Sequence, residues 1–193
     1  MDTIIVVTGL PRSGTSLAMQ MLVAGGAEPL TDGDRQPDED NPRGYYEFTP
    51  VKRLATGCDW IADARGRAVK VVSPLVPHLP VGELYRVILV ERGLSEVLAS
   101  QEKMLARSGV PAAPSAVLQK AFAGHVARCD DWLAETPNAE TLRLRYTDVI
   151  SDPRSAAESI AEFCSAGGGD ALDAVAMAAA VDPKLYRNRK AAD

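Results

Sequence analysis

Short apolar runs alternate with stretches of helical periodicity along this chain. Such runs, bounded by turn residues, are typical of strands buried on both faces, and they lie at residues 3–8, 68–72, 86–90 and 141–145. Apolar positions at helical spacing predict helices at residues 15–24, 94–107, 115–135, 153–165 and 170–180. Strands separated by helices favour right-handed crossovers. The pattern therefore predicts an α/β fold of three layers, α/β/α, with a central and mostly parallel sheet whose strand order stays open.

Residues 26–50 follow neither periodicity. Acidic residues crowd this segment and prolines interrupt it: Asp32, Asp34, Asp38, Glu39 and Asp40, with Pro29, Pro37 and Pro42. An irregular loop of this length inside a compact domain is usually functional or disordered. The remaining pattern shows no repeat or linker, and 193 residues can bury a sizeable core. We therefore expect one domain, residues 1–193, with an irregular acidic loop at about residues 26–50.

Composition narrows the classes of function. The formal net charge is −5 and no broad basic stripe occurs, so nucleic acid is not an expected partner. No apolar run approaches the roughly 20 residues that span a bilayer, and the first strand leaves no room for a signal peptide. The three cysteines lack metal-ligand spacing. We expect a cytoplasmic protein without a membrane segment, with free buried thiols and without a metal.

Residues 9–14 form a glycine-bracketed turn between the first strand and the first helix. Backbone N–H groups converge on an anion in such a turn, and the N-terminus of the helix adds partial positive charge. The spacing from Gly9 to Gly14 is that of a Walker A loop, whose next residue would be lysine, but Thr15 stands there. The cation instead lies inside the loop, at Arg12. A plain tight turn is the alternative, but glycines, hydroxyls and a cation coincide here, which favours a phosphate cradle.

The segment Pro11-Arg12-Ser13-Gly14-Thr15-Ser16 resembles the 5′-phosphosulfate loop of the sulfotransferases that use 3′-phosphoadenosine 5′-phosphosulfate (PAPS). The resemblance implies a P-loop NTPase-like fold and PAPS as the donor, with the desulfated nucleotide PAP as a product and no metal. It also implies transfer of a sulfuryl group to a hydroxyl or amine of a small-molecule or glycan-type acceptor. The implied donor-binding residues of the loop are Gly9, Pro11, Arg12, Ser13, Gly14, Thr15 and Ser16.

Later segments extend this resemblance. Arg92 follows the third strand and Ser100 lies eight residues further on, which matches the 3′-phosphate site of the family. The alternative for Arg92 is a surface ion pair with Glu96. Tyr146 matches a tyrosine that lies near the adenine in the family. A basic tail, with Arg187 and Arg189, is a candidate for closing over the 3′-phosphate, although a solvated tail is the alternative.

The second strand carries the main departure from the family. Lys70 takes the place of the family's transition-state lysine, or else it reaches solvent from the end of its strand. The family's catalytic histidine falls on Val72, so the acceptor's proton must go elsewhere. Glu47 is our preferred base and His78 is the alternative. The other histidine, at position 125, lies on the apolar face of a predicted helix and is interpreted as a core residue.

Two other functions stay open at this point. A P-loop kinase or NTPase would use Glu91 beside magnesium, but the missing lysine at Thr15 counts against it. A non-catalytic nucleotide-binding module is favoured by the short chain and the absent histidine. The chain is shorter than most family members, so part of the acceptor site is either missing or supplied by a second copy in a homo-oligomer.

Overall fold

Four parallel strands form the central sheet in the computed structural model, which describes residues 2–39, 41–107, 109, 115–166 and 171–186. The strands are β1 (Ile4–Thr8), β2 (Ala68–Lys70), β3 (Tyr85–Glu91) and β4 (Ala139–Arg145), and their order is β2-β1-β3-β4. Ile5 of β1 is in register with Ala68 of β2, and Val7 is in register with Ile88 of β3. The prediction of an α/β fold with a parallel sheet is confirmed.

The helices follow the predicted periodicity closely. They are α1 (Thr15–Ala24), α2 (Leu94–Arg107), α3 (Ser115–Glu135), α4 (Tyr146–Ser151), α5 (Pro153–Ser165) and α6 (Ala174–Ala179). The bounds predicted for α1, α2, α3 and α5 agree with the structure. The predicted helix at 170–180 instead begins at Ala174, because the carboxylate of Asp173 caps it by accepting from the amides of Val175 and Ala176. The short α4 was not predicted.

Short 3₁₀ helices occupy Thr49–Arg53, Asp59–Ala64, Ser73–His78 and Pro183–Leu185. The third of these explains why β2 stops at Lys70 rather than at the predicted residue 72. Pro74 lies in its first turn, where its fixed φ angle suits a helix and its missing N–H would find no helical acceptor. After Lys70 the chain stays beside β1 only as far as Ser73, whose amide donates to the carbonyl of Gly9 at 3.0 Å, and it then turns into this 3₁₀ helix at the edge where the candidate site lies.

Successive strand residues pack against opposite helical layers. Val7, Ile88 and Leu144 join the core with α1, α5 and α6, whereas Val6 and Val87 join the core with α3 and the 3₁₀ helices. Helices thus cover both faces of the sheet, as expected for parallel strands whose sequences are continuous apolar runs. The predicted three-layer arrangement is observed.

The acidic loop contains no helix or strand in its described residues 26–39 and 41–48. It folds back on itself, since the hydroxyl of Thr31 donates to the carbonyl of Glu47 at 2.8 Å. The amide of Thr49 donates to the carboxylate of Asp32, and this backbone hydrogen bond lowers the pKa of Asp32. These contacts bring the aromatic end of the loop, residues 45–48, to the carboxyl edge of the sheet.

The three cysteines are free thiols, as predicted. Cys129 and Cys164 are buried, and burial raises the pKa of each thiol to about 11, whereas Cys58 is only half-buried. In the described part of the chain, no helix combines the length and apolar character that a membrane span requires. Nor do the described His, Cys, Asp and Glu side chains gather into a metal-binding group of three or more.

Candidate active site

The main cavity lies at the carboxyl ends of the strands and has a volume of about 520 Å³. The chain passes from β1 to β2 on one side and then to β3 on the other side, so β1 is the point at which the direction of winding reverses. In open α/β sheets the crevice at such a point is the usual ligand site. The loop after β1, the end of β2, the start of α2 and the acidic loop all line this cavity.

The loop after β1 requires glycine at both of its ends. Gly9 has φ of 150°, and an added Cβ would lie 2.5 Å from the carbonyl oxygen of Val90. Gly14 has φ of 113°, and an added Cβ would overlap the ring of Tyr146, whose Cε2 would be 2.8 Å away. Arg12, between them, also adopts a left-handed conformation, with φ of 70°. The loop backbone is therefore held in a shape that ordinary residues disfavour, which is typical of a ligand-binding turn.

Most of the predicted donor-binding residues line the main cavity. These are Pro11, Arg12, Gly14, Thr15, Ser16, Arg92, Ser100 and Tyr146. Two loop residues line a second cavity of about 230 Å³ instead, namely Gly9 and Ser13. The amide of Ser13 donates to the carbonyl of Leu10 at 3.0 Å, and the buried Ser13 is absent from the lining of the main cavity. Arg187 and Arg189 lie outside the described residues.

Arg12 joins the loop to α2. Its Nε donates to the hydroxyl of Ser100 at 3.1 Å, across 88 positions of sequence. The guanidinium of Arg92 donates from Nη1 to the backbone carbonyl of Arg12 at 3.2 Å. The two motifs that were recognised separately in the sequence therefore meet in space. Thr15 and Ser16 begin α1 beside them, where the first amides of a helix have no intrahelical acceptor.

Arg92 is held by side chains on several sides, and its own side chain is 7% exposed. Its Nε donates to the carboxylate of Glu96 at 2.9 Å, so the ion pair that was the alternative to a phosphate site does form, but both side chains are largely buried and Arg92 also lines the cavity. The rings of Tyr146 and Tyr186 lie 4.6 Å and 5.3 Å from the guanidinium carbon. The hydroxyl of Tyr186 donates to the Glu96 carboxylate at 2.9 Å. Sequence reasoning missed Tyr186, whose only signal was its place beside the basic tail.

Lys70 is buried at the end of β2, with a side chain that is 6% exposed, so it does not reach solvent as the alternative reading had it. Its Nζ donates to the carbonyl of Tyr45 and lies 3.5 Å from the hydroxyl of Ser16. Burial lowers the pKa of Lys70 to about 8, against the opposing effect of the Glu47 carboxylate. A buried lysine whose pKa lies only about one unit above neutral pH, and which is still mostly charged there, thus faces the start of α1.

Glu47 lines the cavity, and three cations surround its carboxylate. Arg35 lies 2.6 Å from Oε1, Lys52 lies 3.5 Å from Oε2 and Lys70 lies 3.9 Å from Oε1. His78, the alternative base, is exposed and does not line the cavity, whereas the half-buried Val72 does. The structure thus brings Glu47, Lys70 and the loop to one cavity and leaves His78 outside it.

The remaining histidine, His125, was interpreted as a core residue, but it is only half-buried. His125 lies against the ring of Phe122 on α3, with ring centroids 6.3 Å apart, and burial lowers its pKa. It lines neither cavity.

No model of a known protein family matches this chain, and no curated protein matches it in sequence. Among solved structures, the sulfotransferase domain from the curacin biosynthetic pathway is similar to it, with 14% identity and a TM-score of 0.49 over 100% of this chain and 79% of that one. A sulfotransferase from Alicyclobacillus acidocaldarius is similar with 12% identity and a TM-score of 0.49, over 96% of this chain and 88% of that one. Both carry the name of the family that the motifs of this sequence resemble. At these values, neither likeness assigns a donor, an acceptor or a residue's role to this chain.

Proposed function

We propose that this protein transfers a sulfuryl group from PAPS to a hydroxyl or amine acceptor. The observation that carries the proposal is the hydrogen bond from Arg12 to Ser100, with Arg92 bound to the Arg12 carbonyl. These contacts place the phosphate-binding loop next to an arginine and a hydroxyl that suit a second phosphate. PAPS carries anionic groups at both its 5′ and 3′ positions, which is the pattern that such a pair of anion sites fits.

The residues of the cavity suit this donor in charge and size. Among the described residues, seven cationic side chains and two carboxylates line the cavity of a chain whose net charge is −5. A concentration of cations in an otherwise acidic protein indicates a polyanionic ligand. The volume of about 520 Å³ lies within the usual range for small-molecule sites, roughly 300–1,000 Å³.

The transfer forms a bond between the acceptor oxygen or nitrogen and sulfur, and it breaks the bond between sulfur and the 5′-phosphate oxygen. The electron pair of the broken bond stays on the 5′-phosphate of PAP. Arg12 and Lys70 would stabilise charge on the transferring group and on the leaving oxygen, as preorganised electrostatic groups. Arg92 and Ser100 would hold the 3′-phosphate, and Glu47 would accept the acceptor's proton.

The kinase or NTPase alternative finds less support in the site. Its acidic residue, Glu91, is 43% exposed, forms an ion pair with Arg143 at 2.9 Å and lines the second cavity. The position after Gly14 carries Thr15 and not the lysine that reaches the β- and γ-phosphates in P-loop enzymes. A nucleotide-binding module without turnover would share the same binding contacts, so only an activity measurement separates it from a transferase.

A thermal-shift panel tests the proposal with PAP, ADP, and ATP with and without magnesium. PAP should stabilise the fold more than ADP at equal concentration, because only PAP has a 3′-phosphate for Arg92 and Ser100. At about 100 times its dissociation constant a ligand adds roughly 2.7 kcal/mol of stability. Arg92→Gln should remove the preference for PAP, whereas Arg154→Gln, on the exposed face of α5, should keep it.

Three outcomes separate the alternatives. Equal shifts for PAP and ADP would contradict the assignment of the 3′-phosphate site. A shift that needs ATP together with magnesium would favour the kinase. Tight PAP binding without release of PAP from PAPS, across phenolic, sugar and amine acceptors, would favour the non-catalytic module.

A further inference from the structure

The carboxylate of Glu47 is outnumbered by the cations around it. Arg35, Lys52 and Lys70 share it, at 2.6, 3.5 and 3.9 Å. Lys70 also donates to the carbonyl of Tyr45, but that carbonyl carries no net charge. One carboxylate thus faces three positive groups at the wall of the cavity, and this corner attracts a further anion.

The side chain of Arg35 has a second contact besides its ion pair with Glu47, so it can stay in position when the carboxylate changes. Its guanidinium carbon lies 3.4 Å from the centroid of the Tyr45 ring, so stacking as well as the ion pair holds it. Its side chain is 41% exposed and that of Lys52 is 64% exposed. Ion pairs in such contact with water contribute little free energy, so exchange of one carboxylate for another costs little.

An apolar surface adjoins this corner. Phe48 follows Glu47 directly and lines the cavity together with Val51, Val72 and Leu75. The ring of Phe48 packs edge-to-face on Trp60, with centroids 5.6 Å apart, which fixes its orientation. A ligand in this part of the cavity therefore meets a hydrocarbon wall on one side and excess positive charge on the other.

We propose that the acceptor is a hydroxylated carboxylic acid with an apolar body, and that its carboxylate replaces Glu47 on Arg35 and Lys52. This inference rests on the proposed function. As long as Arg35 and Lys52 hold Glu47, both of its oxygens face cations. Once the carboxylate of the acceptor takes those cations, Glu47 turns to the acceptor hydroxyl.

The chemical step is then coupled to recognition of the acceptor. The hydroxyl O–H bond breaks and its proton passes to the Glu47 carboxylate, while the oxygen forms a bond to the sulfur of PAPS. The bond from sulfur to the 5′-phosphate oxygen breaks, and its electron pair leaves with PAP. A neutral acceptor would leave Glu47 bound to Arg35 and would lack this activation.

The test is calorimetric titration of the protein, saturated with PAP, with two acids and their amides. 3-Phenyllactate and 4-hydroxyphenylacetate place the hydroxyl at a short and at a long distance from the carboxylate. At least one acid should bind about threefold to fivefold more tightly than its amide, which corresponds to about 0.6–1 kcal/mol for an ion pair that stays in contact with water. Arg35→Gln should abolish this difference. Arg154→Gln removes the same charge from an exposed position on α5 and should leave it intact.

The outcomes distinguish this inference from the function on which it rests. If PAP does not bind, the proposed function fails. If PAP binds but neither acid binds better than its amide, or if Arg35→Gln keeps the difference, the inference alone is overturned. With PAPS in place of PAP, the ratio of kcat/KM for acid over amide should fall in Arg35→Gln, and an unchanged ratio would likewise overturn it.

Discussion

Replacing Lys70 by methionine should stabilise the protein while abolishing turnover. Lys70 is buried, and burial lowers its pKa from 10.5 to about 8. The unfolded chain therefore keeps this proton to higher pH than the folded chain does. Between about pH 8 and pH 10.5 the unfolded state therefore binds more protons at Lys70 than the folded state does. The contribution of Lys70 to the free energy of unfolding rises with pH across that interval, and it is most unfavourable below pH 8.

The size of the effect follows from the shift of the pKa. Each pKa unit is worth about 1.36 kcal/mol, so the charged Lys70 costs the folded state about 3 kcal/mol at neutral pH. Methionine removes this cost but leaves the carbonyl of Tyr45 without its donor, which costs about 1–3 kcal/mol. We expect a net gain of about 1 kcal/mol at pH 7 for Lys70→Met.

Urea unfolding at several pH values measures the contribution of Lys70 to stability as the difference between the wild-type protein and Lys70→Met. From pH 7 to about pH 9.5 the wild-type protein should gain about 2 kcal/mol relative to Lys70→Met, since other titrating groups cancel between the two. Lys52→Met is the matched control, because Lys52 is exposed in the same site, and its profile should run parallel to wild type. Parallel profiles for Lys70→Met as well would refute the reasoning. The same pKa predicts that kcat/KM for PAPS falls as pH rises above about 8, because the free enzyme loses the ammonium group.

Three other substitutions test the loop and the base. Arg12→Ala should slow turnover of PAPS about 100-fold, or about 3 kcal/mol, but should lower stability in urea unfolding by only about 1 kcal/mol, because it removes the hydrogen bond to Ser100. Arg12→Lys should lose less turnover. Normal turnover in Arg12→Ala would remove Arg12 from the chemistry. Glu47→Gln should keep its affinity for PAP in calorimetry but should lower turnover by roughly 100-fold. Full activity in Glu47→Gln, together with loss of activity in His78→Ala, would assign the role of base to His78. Gly14→Ala should destabilise the fold by more than Gly26→Ala in urea unfolding. Both glycines have positive φ angles, but only at Gly14 would an added Cβ meet an aromatic ring. Equal losses of stability would show that the ring moves aside.

The sheet and most helices could be predicted because their signals are local. The apolar runs of β1 and β3 and the helical spacing of α3 lie within single segments, and a sheet covered on both faces leaves little choice of pairing type. The loop with Arg12 could be found for the same reason, since strand, glycines and helix are contiguous. Where a boundary depended on a cap or a proline, as at Asp173 and Pro74, the prediction was off by a few residues.

The surroundings of each charged group depended on contacts across the chain. The order β2-β1-β3-β4 places the ends of β2 and β3 on either side of the loop, and this brings Lys70 and Arg92 to one cavity. No local pattern could show that Tyr186 stacks on Arg92, or that Arg35 and Lys52 share the carboxylate of Glu47.

Nor did the motif show that Ser13 lines the second cavity rather than the main one. Residue types and spacing thus determined which candidate groups the chain carries. Burial and charge neighbours, which arise only when distant segments pack together, decided how each of those groups is presented to a ligand.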